Sequence, residues 1–326
     1  MCYYDKSIIT GTGEFSLFSA VCWMDGYICN VYQQDMRFYP VKAVPYISVR
    51  VLKYFFGTRY RLAAFTRKSK VFNKIVRRTL FDGDDMIVVP KDKVVSRKIE
   101  TNIEIEDPGD STVLPSDVVK NVIDKADDIF IMNFCLCRRS NKCDDFPVDH
   151  GCVFMGKGVH KIPKDFGHLA TREEAKAYID ECGREGLVHI IGRNKLDSIW
   201  LSTGDKKDLM TICNCCPCCC LWNMTRNISD ELGSVFKRME GVVVTMDSTK
   251  CIGCGSCSEI CFTKAVKFNE GRLEIDQFLC RGCGRCIDEC PTDAISITYD
   301  EGAIDGIVER IGSLVKLNGN DVVGSE

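Results

Sequence analysis

Four stretches of the chain carry apolar residues at a helical period. The first runs from Val44 to Leu62, mixes apolar with basic residues, and predicts an amphipathic helix that breaks near Gly57. A second helix is predicted over 116–126, and a third, which opens on a capping box, over 171–183. The last apolar stripe predicts a helix over 302–317 that packs back on the body of the protein.

Short apolar runs between these helices predict strands. They span 129–134, 187–191, 199–202 and 209–212. Strands that alternate with helices over about 115–220 indicate a small α/β domain. Cysteines cluster where the predicted strands end, and loops at strand ends commonly carry functional sites.

The net charge of −3 conceals an uneven distribution. Residues 37–81 contain twelve Lys or Arg and no Asp or Glu, whereas residues 82–128 contain thirteen acidic and six basic residues. The basic segment has three interpretations: a solvated face over a core, a surface that attaches peripherally to a membrane, or a docking surface for an acidic redox partner. No recognisable nucleic-acid reader accompanies the charge, so nucleic acid is not expected as a partner.

Cysteine is far more frequent than in ordinary proteins, with 22 in 326 residues. The start of the chain lacks the basic and apolar regions of a secretory signal, and no run of about 18 apolar residues predicts a membrane span. We therefore expect a cytoplasmic protein whose thiols stay reduced and bind metal, rather than a disulfide scaffold.

Eight cysteines near the C-terminus form two copies of one spacing, C-x2-C-x2-C-x3-C, which begin at Cys251 and Cys280. This run is the ligand pattern for two [4Fe–4S] clusters, in which the fourth cysteine of each copy serves the other cluster. Zinc more often uses paired CxxC knuckles. The spacing therefore predicts two ligand sets: Cys251, Cys254, Cys257 and Cys290 for cluster 1, and Cys280, Cys283, Cys286 and Cys261 for cluster 2.

Residues 242–299, which carry this motif, resemble the bacterial two-[4Fe–4S] ferredoxins. The resemblance implies a ferredoxin-like dicluster domain with a pseudo-twofold βαβ repeat, and one-electron transfer through its clusters. Ala265-Val266 in the first repeat recurs as Ala294-Ile295 in the second. One difference is Phe262, which follows the fourth cysteine of the first copy where a proline is usual. Because oxygen attacks exposed clusters, we expect an anaerobic host.

Ten further cysteines follow predicted strands in the middle of the chain. Closely spaced thiolates repel one another unless a metal neutralises them, so these thiols indicate metal binding. Three interpretations are open: one or more additional iron–sulfur clusters, a zinc site with four cysteine ligands, or a redox-active thiol site that acts on a disulfide or similar substrate. One extra cubane is predicted to use the first four of the ten. The ten are Cys135, Cys137, Cys143, Cys152, Cys213, Cys215, Cys216, Cys218, Cys219 and Cys220.

Two arginines, Arg138 and Arg139, directly follow the first pair of these cysteines. Three roles are open for them: they offset the negative charge of a cluster, they bind an anionic substrate, or they form a solvated pair on the surface. Through the C-L-C-R stretch at Cys135 and the I-C-N-C-C-P-C-C-C stretch at Ile212, the middle region is similar to that of uncharacterised ferredoxin-domain proteins found in anaerobic bacteria and archaea. This similarity implies a shared module and no particular reaction.

The sequence thus predicts an α+β or α/β protein in four parts. These are a basic, aromatic region over 1–110, a cysteine-rich α/β domain over 111–235, a two-[4Fe–4S] domain over 240–300, and a helix with a tail over 301–326. The expected function is electron transfer between a redox protein partner and a second cysteine-ligated metal centre, as the redox component of a larger reductase. The alternatives are a reductase whose upstream cluster acts on a disulfide, and a carrier with a structural zinc site.

Overall fold

The computed structural model describes residues 21–24, 27–32, 35–40, 44–97, 114–269 and 272–318. Eleven helices lie in these ranges: α1 Val44–Phe55, α2 Arg59–Lys68, α3 Lys70–Leu80, α4 Pro115–Asp124, α5 Leu136–Asn141, α6 Arg172–Arg184, α7 Lys195–Trp200, α8 Asp230–Gly233, α9 Ser256–Ile260, α10 Arg285–Asp288 and α11 Ile304–Gly312. Fifteen strands lie there too: β1 Val21–Met24, β2 Tyr27–Tyr32, β3 Asp35–Pro40, β4 Asp85–Val88, β5 Val95–Arg97, β6 Ile129–Met132, β7 Val153–Met155, β8 Gly167–Leu169, β9 Val188–Arg193, β10 Met210–Cys215, β11 Phe236–Arg238, β12 Val243–Met246, β13 Val266–Asn269, β14 Arg272–Ile275 and β15 Ile295–Tyr299.

The helices predicted from apolar periodicity are present. A single 3₁₀ turn over Phe56–Thr58 separates α1 from α2, as the predicted break near Gly57 requires. Helix α6 begins after Thr171, whose side chain accepts a hydrogen bond from the backbone N–H of Glu174 over 3.2 Å. Helix α11 is shorter than predicted because its last turn gives way to an irregular segment after Gly312.

One predicted strand, over residues 199–202, is wrong, because this segment belongs to α7 and the turn after it. The side chain of Asn194 caps the helix by accepting a hydrogen bond from the N–H of Leu196 over 3.0 Å. Trp200 then donates its indole N–H to Asp197 over 2.7 Å, an i to i−3 contact that a helix permits. The apolar run was too short to distinguish the two structures.

The largest sheet has seven strands in the order β11-β4-β9-β10-β7-β6-β8. Neighbouring strands are antiparallel except β11 and β4, so the fold is mixed α and β, with a mainly antiparallel sheet. Strand β4 lies inside this sheet although it precedes residue 110, so the sheet includes residues on both sides of the predicted boundary there. The four-part division stays a prediction.

Three smaller sheets complete the described structure. Strands β1, β2 and β3 form an antiparallel meander, and β13 pairs with β14 in a two-stranded ribbon. Strand β15 lies between β12 and β5, pairing in parallel with β5. Strand β5 thereby ties the cysteine-rich C-terminal segment to residues early in the chain. Among the described residues, no helix is both long and apolar enough to cross a membrane.

The five inner strands of the seven-stranded sheet, β4, β9, β10, β7 and β6, are buried on both faces. One face packs against α4, α6 and α11, and its core extends to Ile295 and Ile297 of β15. Helix α11 contributes Ile304, Ile307 and Ile311 to this core, which confirms that the last helix packs on the body. The opposite face packs around Trp222 and Phe236 and includes several of the cysteines. The cysteines of the C-terminal segment pack mainly against the first core, and Cys213, Cys215 and Cys220 belong to the second.

Candidate metal centres

The topology of the large sheet brings three cysteine segments to one edge. Strands β10 and β6 both run antiparallel to β7, which lies between them, so β10 and β6 run in the same direction. Their C-terminal ends therefore meet at the edge where β7 begins. Cys135 follows β6, Cys152 directly precedes β7, and Cys213 and Cys215 end β10. Ten cysteines far apart in sequence converge for this reason.

In strand β10, the side chains of the cysteines lie on one face of the sheet and those of the residues next to them lie on the other. Successive side chains in a strand alternate, and Ile212 packs in the core on the helical face whereas Cys213 and Cys215 pack on the other. Asn214 points away from both cysteines. Its amide donates to the carbonyl oxygen of Gly151 over 2.8 Å, and its side-chain oxygen lies 2.8 Å from Nδ1 of the buried His189. These contacts fix the end of β10.

Six cysteines form one contiguous set, here called the six-cysteine group. The thiol of Cys135 interacts electrostatically with that of Cys137, and the thiol of Cys152 interacts in the same way with that of Cys213. Cys213 also contacts Cys215, which in turn contacts Cys220. The group consists of Cys135, Cys137, Cys152, Cys213, Cys215 and Cys220.

Four other cysteines form a second set, here called the four-cysteine group. Their sulfur atoms all lie within 4.8 Å of one another, and the sulfurs of Cys143 and Cys218 are 3.5 Å apart. Cys218 is exposed and Cys143 is half-buried. The structure does not bring together the predicted ligands of one extra cubane, Cys135, Cys137, Cys143 and Cys152, because Cys143 belongs to the four-cysteine group. The group consists of Cys143, Cys216, Cys218 and Cys219.

Arg138 lies between the two groups. Its side chain is fully buried, so the solvated surface pair is wrong for this residue, whereas Arg139 is exposed. Arg138 donates to the carbonyl oxygen of Asn214 over 2.9 Å and to that of His150. Burial alone would lower the pKa of Arg138, but the sulfurs of Cys135, Cys216 and Cys152 raise it above its usual range. A buried charge of this kind requires negative partners.

The pKa of Cys135 is lowered, whereas that of its neighbour Cys137 is raised. A hydrogen bond from Cys137 lowers the pKa of Cys135 to about 6, burial opposes this, and the charge of Arg138 lowers it further. The thiol of Cys213, followed by burial, raises the pKa of Cys152 well above its usual range. The thiol of Cys152 lowers the pKa of Cys213, but the thiol of Cys215 and burial together raise it well above its usual range. Buried thiols of this kind become ligands when a metal compensates their charge.

The C-terminal segment has the order strand, cysteine loop, short helix and strand, and this order occurs twice. The first copy comprises β12, α9 and β13, and the second comprises β14, α10 and β15. Two cavities lie beside the loops. One is lined by Cys251, Cys254, Cys257 and Cys290. The other is lined by Cys261, Cys280, Cys283 and Cys286. The fourth cysteine of each copy thus faces the cavity of the other copy, in the same two sets that the spacing groups.

The two copies share unusual backbone conformations. Gly255 and Gly284 precede the helices α9 and α10 with φ of +88° and +82°, values that favour glycine. The sulfur of Cys261 accepts a hydrogen bond from the N–H of Ala265 over 3.3 Å, and that of Cys290 accepts one from Ala294 over the same distance. Such N–H groups stabilise negative charge on the sulfurs, so this cradle fits thiolate ligands of a [4Fe–4S] cluster.

The thiols of the second cavity lie deeper than Cys290 of the first. Burial raises the pKa of Cys283 to about 11 and raises that of Cys280 and Cys286. The pKa of Cys290 is lowered, because backbone N–H groups of Thr292 and Ala294 outweigh the effect of burial. A metal would offset this effect of burial and hold Cys280, Cys283 and Cys286 as thiolates.

The second cavity adjoins the six-cysteine group. Phe262 and Arg285 both line this cavity. Phe262 is 3% exposed and belongs to the same buried cluster as Cys213, Cys215 and Trp222. Arg285 donates hydrogen bonds to the carbonyl oxygens of Cys215 and Cys216, each over 3.0 Å. The residue that replaces the usual proline thus forms part of the wall between the cavity and the upstream cysteines.

Sequence reasoning did not identify Arg285, Asn214 or Asn141 as part of the site. Asn141 at the end of α5 donates to the carbonyl oxygens of Cys137 and Cys219 over 2.8 and 3.2 Å. It therefore joins the two cysteine segments. Its proximity to Cys143 was the available signal, since Asn side chains commonly hydrogen-bond backbone groups. No local pattern indicated Arg285, whose partners lie about 70 residues away in sequence.

Residues 250–294 match the family described as 4Fe-4S dicluster domain. The comparison with curated proteins found no match, and neither did the comparison with solved structures. The family match and the clustered cysteines support iron–sulfur cluster binding and a role in electron transfer. This match covers the C-terminal segment alone, so the six- and four-cysteine groups are interpreted from their own geometry.

Proposed function

We propose that the protein transfers single electrons between a redox partner and the six-cysteine group, by way of two [4Fe–4S] clusters in the C-terminal segment. The ligands would be the two sets of four cysteines that line the two cavities. Bound clusters of this type supply one-electron oxidation and reduction. The six-cysteine group would hold a further iron–sulfur centre, because its ligands are thiols alone and the chain already carries such clusters.

The contact between the second cavity and the six-cysteine group carries this proposal. Cys283, a member of the second set, packs against the buried cluster that contains Cys213, Cys215 and Cys220. Phe262, which is 3% exposed, belongs to the same buried cluster. Arg285 places a positive charge next to both, which favours the more negative, reduced state on either side. A packed connection of this kind suits electron transfer between two centres.

The burial of Cys213, Cys215 and Cys220 favours electron transfer over direct attack on a substrate. A reductase that reduces a disulfide needs a thiolate or metal that the substrate can reach. We therefore keep the reductase as a rival, in which electrons arrive by the same route and leave through a substrate. The two functions make different predictions: a small disulfide should change the electron paramagnetic resonance signal of the upstream centre in a reductase but not in an electron carrier.

Metal analysis and electron paramagnetic resonance of anaerobically purified protein test the proposal. Two cubanes account for about eight irons and eight sulfides, and a further centre raises both numbers. We expect the double variant Cys213→Ser/Cys215→Ser to lose the additional iron while the dicluster signals persist. Cys182→Ala is the matched control, since Cys182 is also buried but packs with Leu187, Cys216 and Cys219 rather than with Cys213 and Cys215. An unchanged iron content in the double variant would contradict the upstream centre.

A surface for the redox partner or a membrane would lie on helices α2 and α3. Helix α3 buries none of its residues, and it exposes Val71 and Ile75 at 72% and 54% among basic side chains. Leu62 and Phe65 of α2 are also exposed, at 50% and 48%. Apolar residues among lysines and arginines suit either an anionic lipid surface or an acidic protein.

A further inference from the structure

We propose that the four-cysteine group binds a single tetrahedrally coordinated metal ion, zinc, and is a site separate from every iron–sulfur centre of the chain. This inference does not depend on electron transfer. It assigns Cys143, Cys216, Cys218 and Cys219 as a complete ligand set. Four thiolates with no open position are typical of a structural zinc site.

The distances between the sulfur atoms support a single metal ion rather than a [4Fe–4S] cluster. Zinc–sulfur bonds are about 2.3 Å long, so two sulfurs on the same tetrahedral zinc lie about 3.8 Å apart. The four sulfurs here lie within 4.8 Å of one another, and Cys143 and Cys218 are 3.5 Å apart. In a cubane each thiolate binds a different iron at a different corner, which holds the sulfurs further apart.

The C-terminal cysteines of the same protein give an internal comparison. Each of their sets of four lines an open cavity, which leaves room for a cluster between the sulfurs. Among the described residues, the four-cysteine group is the set in which all ligand atoms converge within 4.8 Å. Four thiols are thus arranged in two ways in this chain: around a cavity in the C-terminal segment, and close together in the four-cysteine group.

The surroundings hold these four ligands in place before any metal binds. Helix α5 ends at Asn141, and the left-handed conformation of the next residue, Lys142, with φ of +51°, turns the chain at Cys143. The N–H of Cys219 donates to the sulfur of Cys216 over 3.2 Å, a bond that stabilises a metal-bound thiolate. Asn223 donates to the carbonyl oxygens of Pro217 and Cys218 over 2.7 and 3.3 Å, which fixes the loop between the ligands.

The position of the group suggests a structural role for the ion. Cys143 follows α5, whereas the other three lie in the loop after β10, so one ion would join two segments more than 70 residues apart. Both segments also supply members of the six-cysteine group. The ion would therefore hold together the two loops that enclose that group.

The test measures zinc and iron in the full-length protein, purified without oxygen from cells supplied with both metals. We expect about one zinc per chain in the wild type. The single variant Cys218→Ser and the double variant Cys143→Ser/Cys218→Ser should lose most of the zinc and keep the dicluster signals. The Cys182→Ala variant is the control, because Cys182 packs beside Cys216 and Cys219 without belonging to the group.

Wild-type protein provides a second measurement that does not depend on how the variants fold. Bound zinc should protect Cys143, Cys216, Cys218 and Cys219 from alkylation, and a chelator should remove that protection. Replacing the ion with cobalt should give the absorption of a tetrahedral thiolate site. Four results would each overturn the proposal: no zinc in the wild type, full zinc in the double variant, loss of about four irons with Cys218→Ser, or a disulfide between Cys143 and Cys218 in protein kept from oxygen.

Discussion

The guanidinium group of Arg285 lies 3.0 Å from the carbonyl oxygen of Cys215, and so joins the C-terminal segment to the upstream cysteines. Arg285 stands on α10, directly between Gly284 and Cys286 of the second cysteine loop. Its side chain is only 5% exposed. A buried charge that donates hydrogen bonds across two segments fixes their separation as well as their orientation.

We predict that Arg285→Leu weakens the junction and lowers the reduction potential of the adjacent cluster. Loss of the charged hydrogen bonds should cost about 1.5–3 kcal/mol of stability. Loss of positive charge makes the reduced state less favourable. Redox titration followed by electron paramagnetic resonance measures the potential, and denaturant unfolding of protein kept from oxygen measures the stability.

The control for Arg285 is Arg281→Leu. Arg281 lines the same cavity, but it donates to the carbonyl oxygens of Phe278, Leu279 and Gly233, which lie outside the upstream cysteine groups. Both variants should lower the potential of the second cluster. Only Arg285→Leu should alter the signal of the six-cysteine group, and equal effects of the two variants on that signal would refute a specific junction.

Phe262→Ala should expose the second cavity to solvent and oxygen. The ring is buried beside Trp222 and Cys283, and truncating a buried phenylalanine typically costs about 3–5 kcal/mol. We expect the variant to bleach faster than wild type when air is admitted, measured by absorbance of the iron–sulfur chromophore. Phe278→Ala is the matched control, since Phe278 is 75% exposed in the same segment. Equal bleaching rates in wild type and Phe262→Ala would show that the ring does not seal the cavity.

The surface of α3 predicts salt-dependent binding to anionic lipid vesicles. We expect wild-type protein to cosediment with such vesicles at low salt and to be released as salt is added, because screening weakens charge attraction. The charge reversals Lys74→Glu and Arg78→Glu should abolish cosedimentation. Reversing Lys157 and Lys267, which are exposed elsewhere, should reduce it far less. Wild-type protein that stays in the supernatant at low salt would leave a protein partner as the interpretation of this surface.

Stability should fall as pH rises towards 7 because of Asp84. Burial raises the pKa of Asp84 to about 7, although its carboxylate accepts a hydrogen bond from the N–H of Lys195 over 2.7 Å. The folded protein therefore keeps a proton that the unfolded chain releases at a pKa of about 3.9. This contribution is present below the unfolded pKa and is lost as pH rises through the folded value, at no more than about 1.4 kcal/mol per pH unit.

The variant Asp84→Asn isolates this effect. Asparagine keeps an oxygen that can accept from Lys195 but does not titrate. The free energy of unfolding of wild type minus that of the variant should decrease between about pH 5.5 and pH 7 and level off above it. Denaturant titrations at several pH values measure the difference, and a difference that is constant over this range would contradict a raised pKa for Asp84.

The C-terminal segment was the part most predictable from sequence. Its cysteine spacing is local, so the spacing alone assigns the fourth cysteine of each copy to the other cluster. The helices α4 and α6 were predictable for a similar reason, because apolar periodicity and capping residues act over a few residues.

The division of the ten upstream cysteines could not be predicted. It depends on β10 and β6 flanking β7, and sequence gives no direct measure of which strands pair. Residues adjacent in sequence also separate, since Cys215 joins one group and Cys216 the other. The strand alternation of β10 ends at Cys215, and beyond this point no fixed period says which way a side chain faces.

The burial of Cys213, Cys215 and Cys220, in contrast to the exposure of Cys218 in the four-cysteine group, has a consequence for maturation. If both proposed centres form, iron and sulfide would have to reach the buried sulfurs while the loops after β6 and β10 are still apart. A zinc ion that joins those loops would then hinder access to the buried sulfurs. We therefore expect assembly in a fixed sequence, with the deep centre built first and the surface ion added last, and premature zinc should yield folded chains that lack iron in their interior.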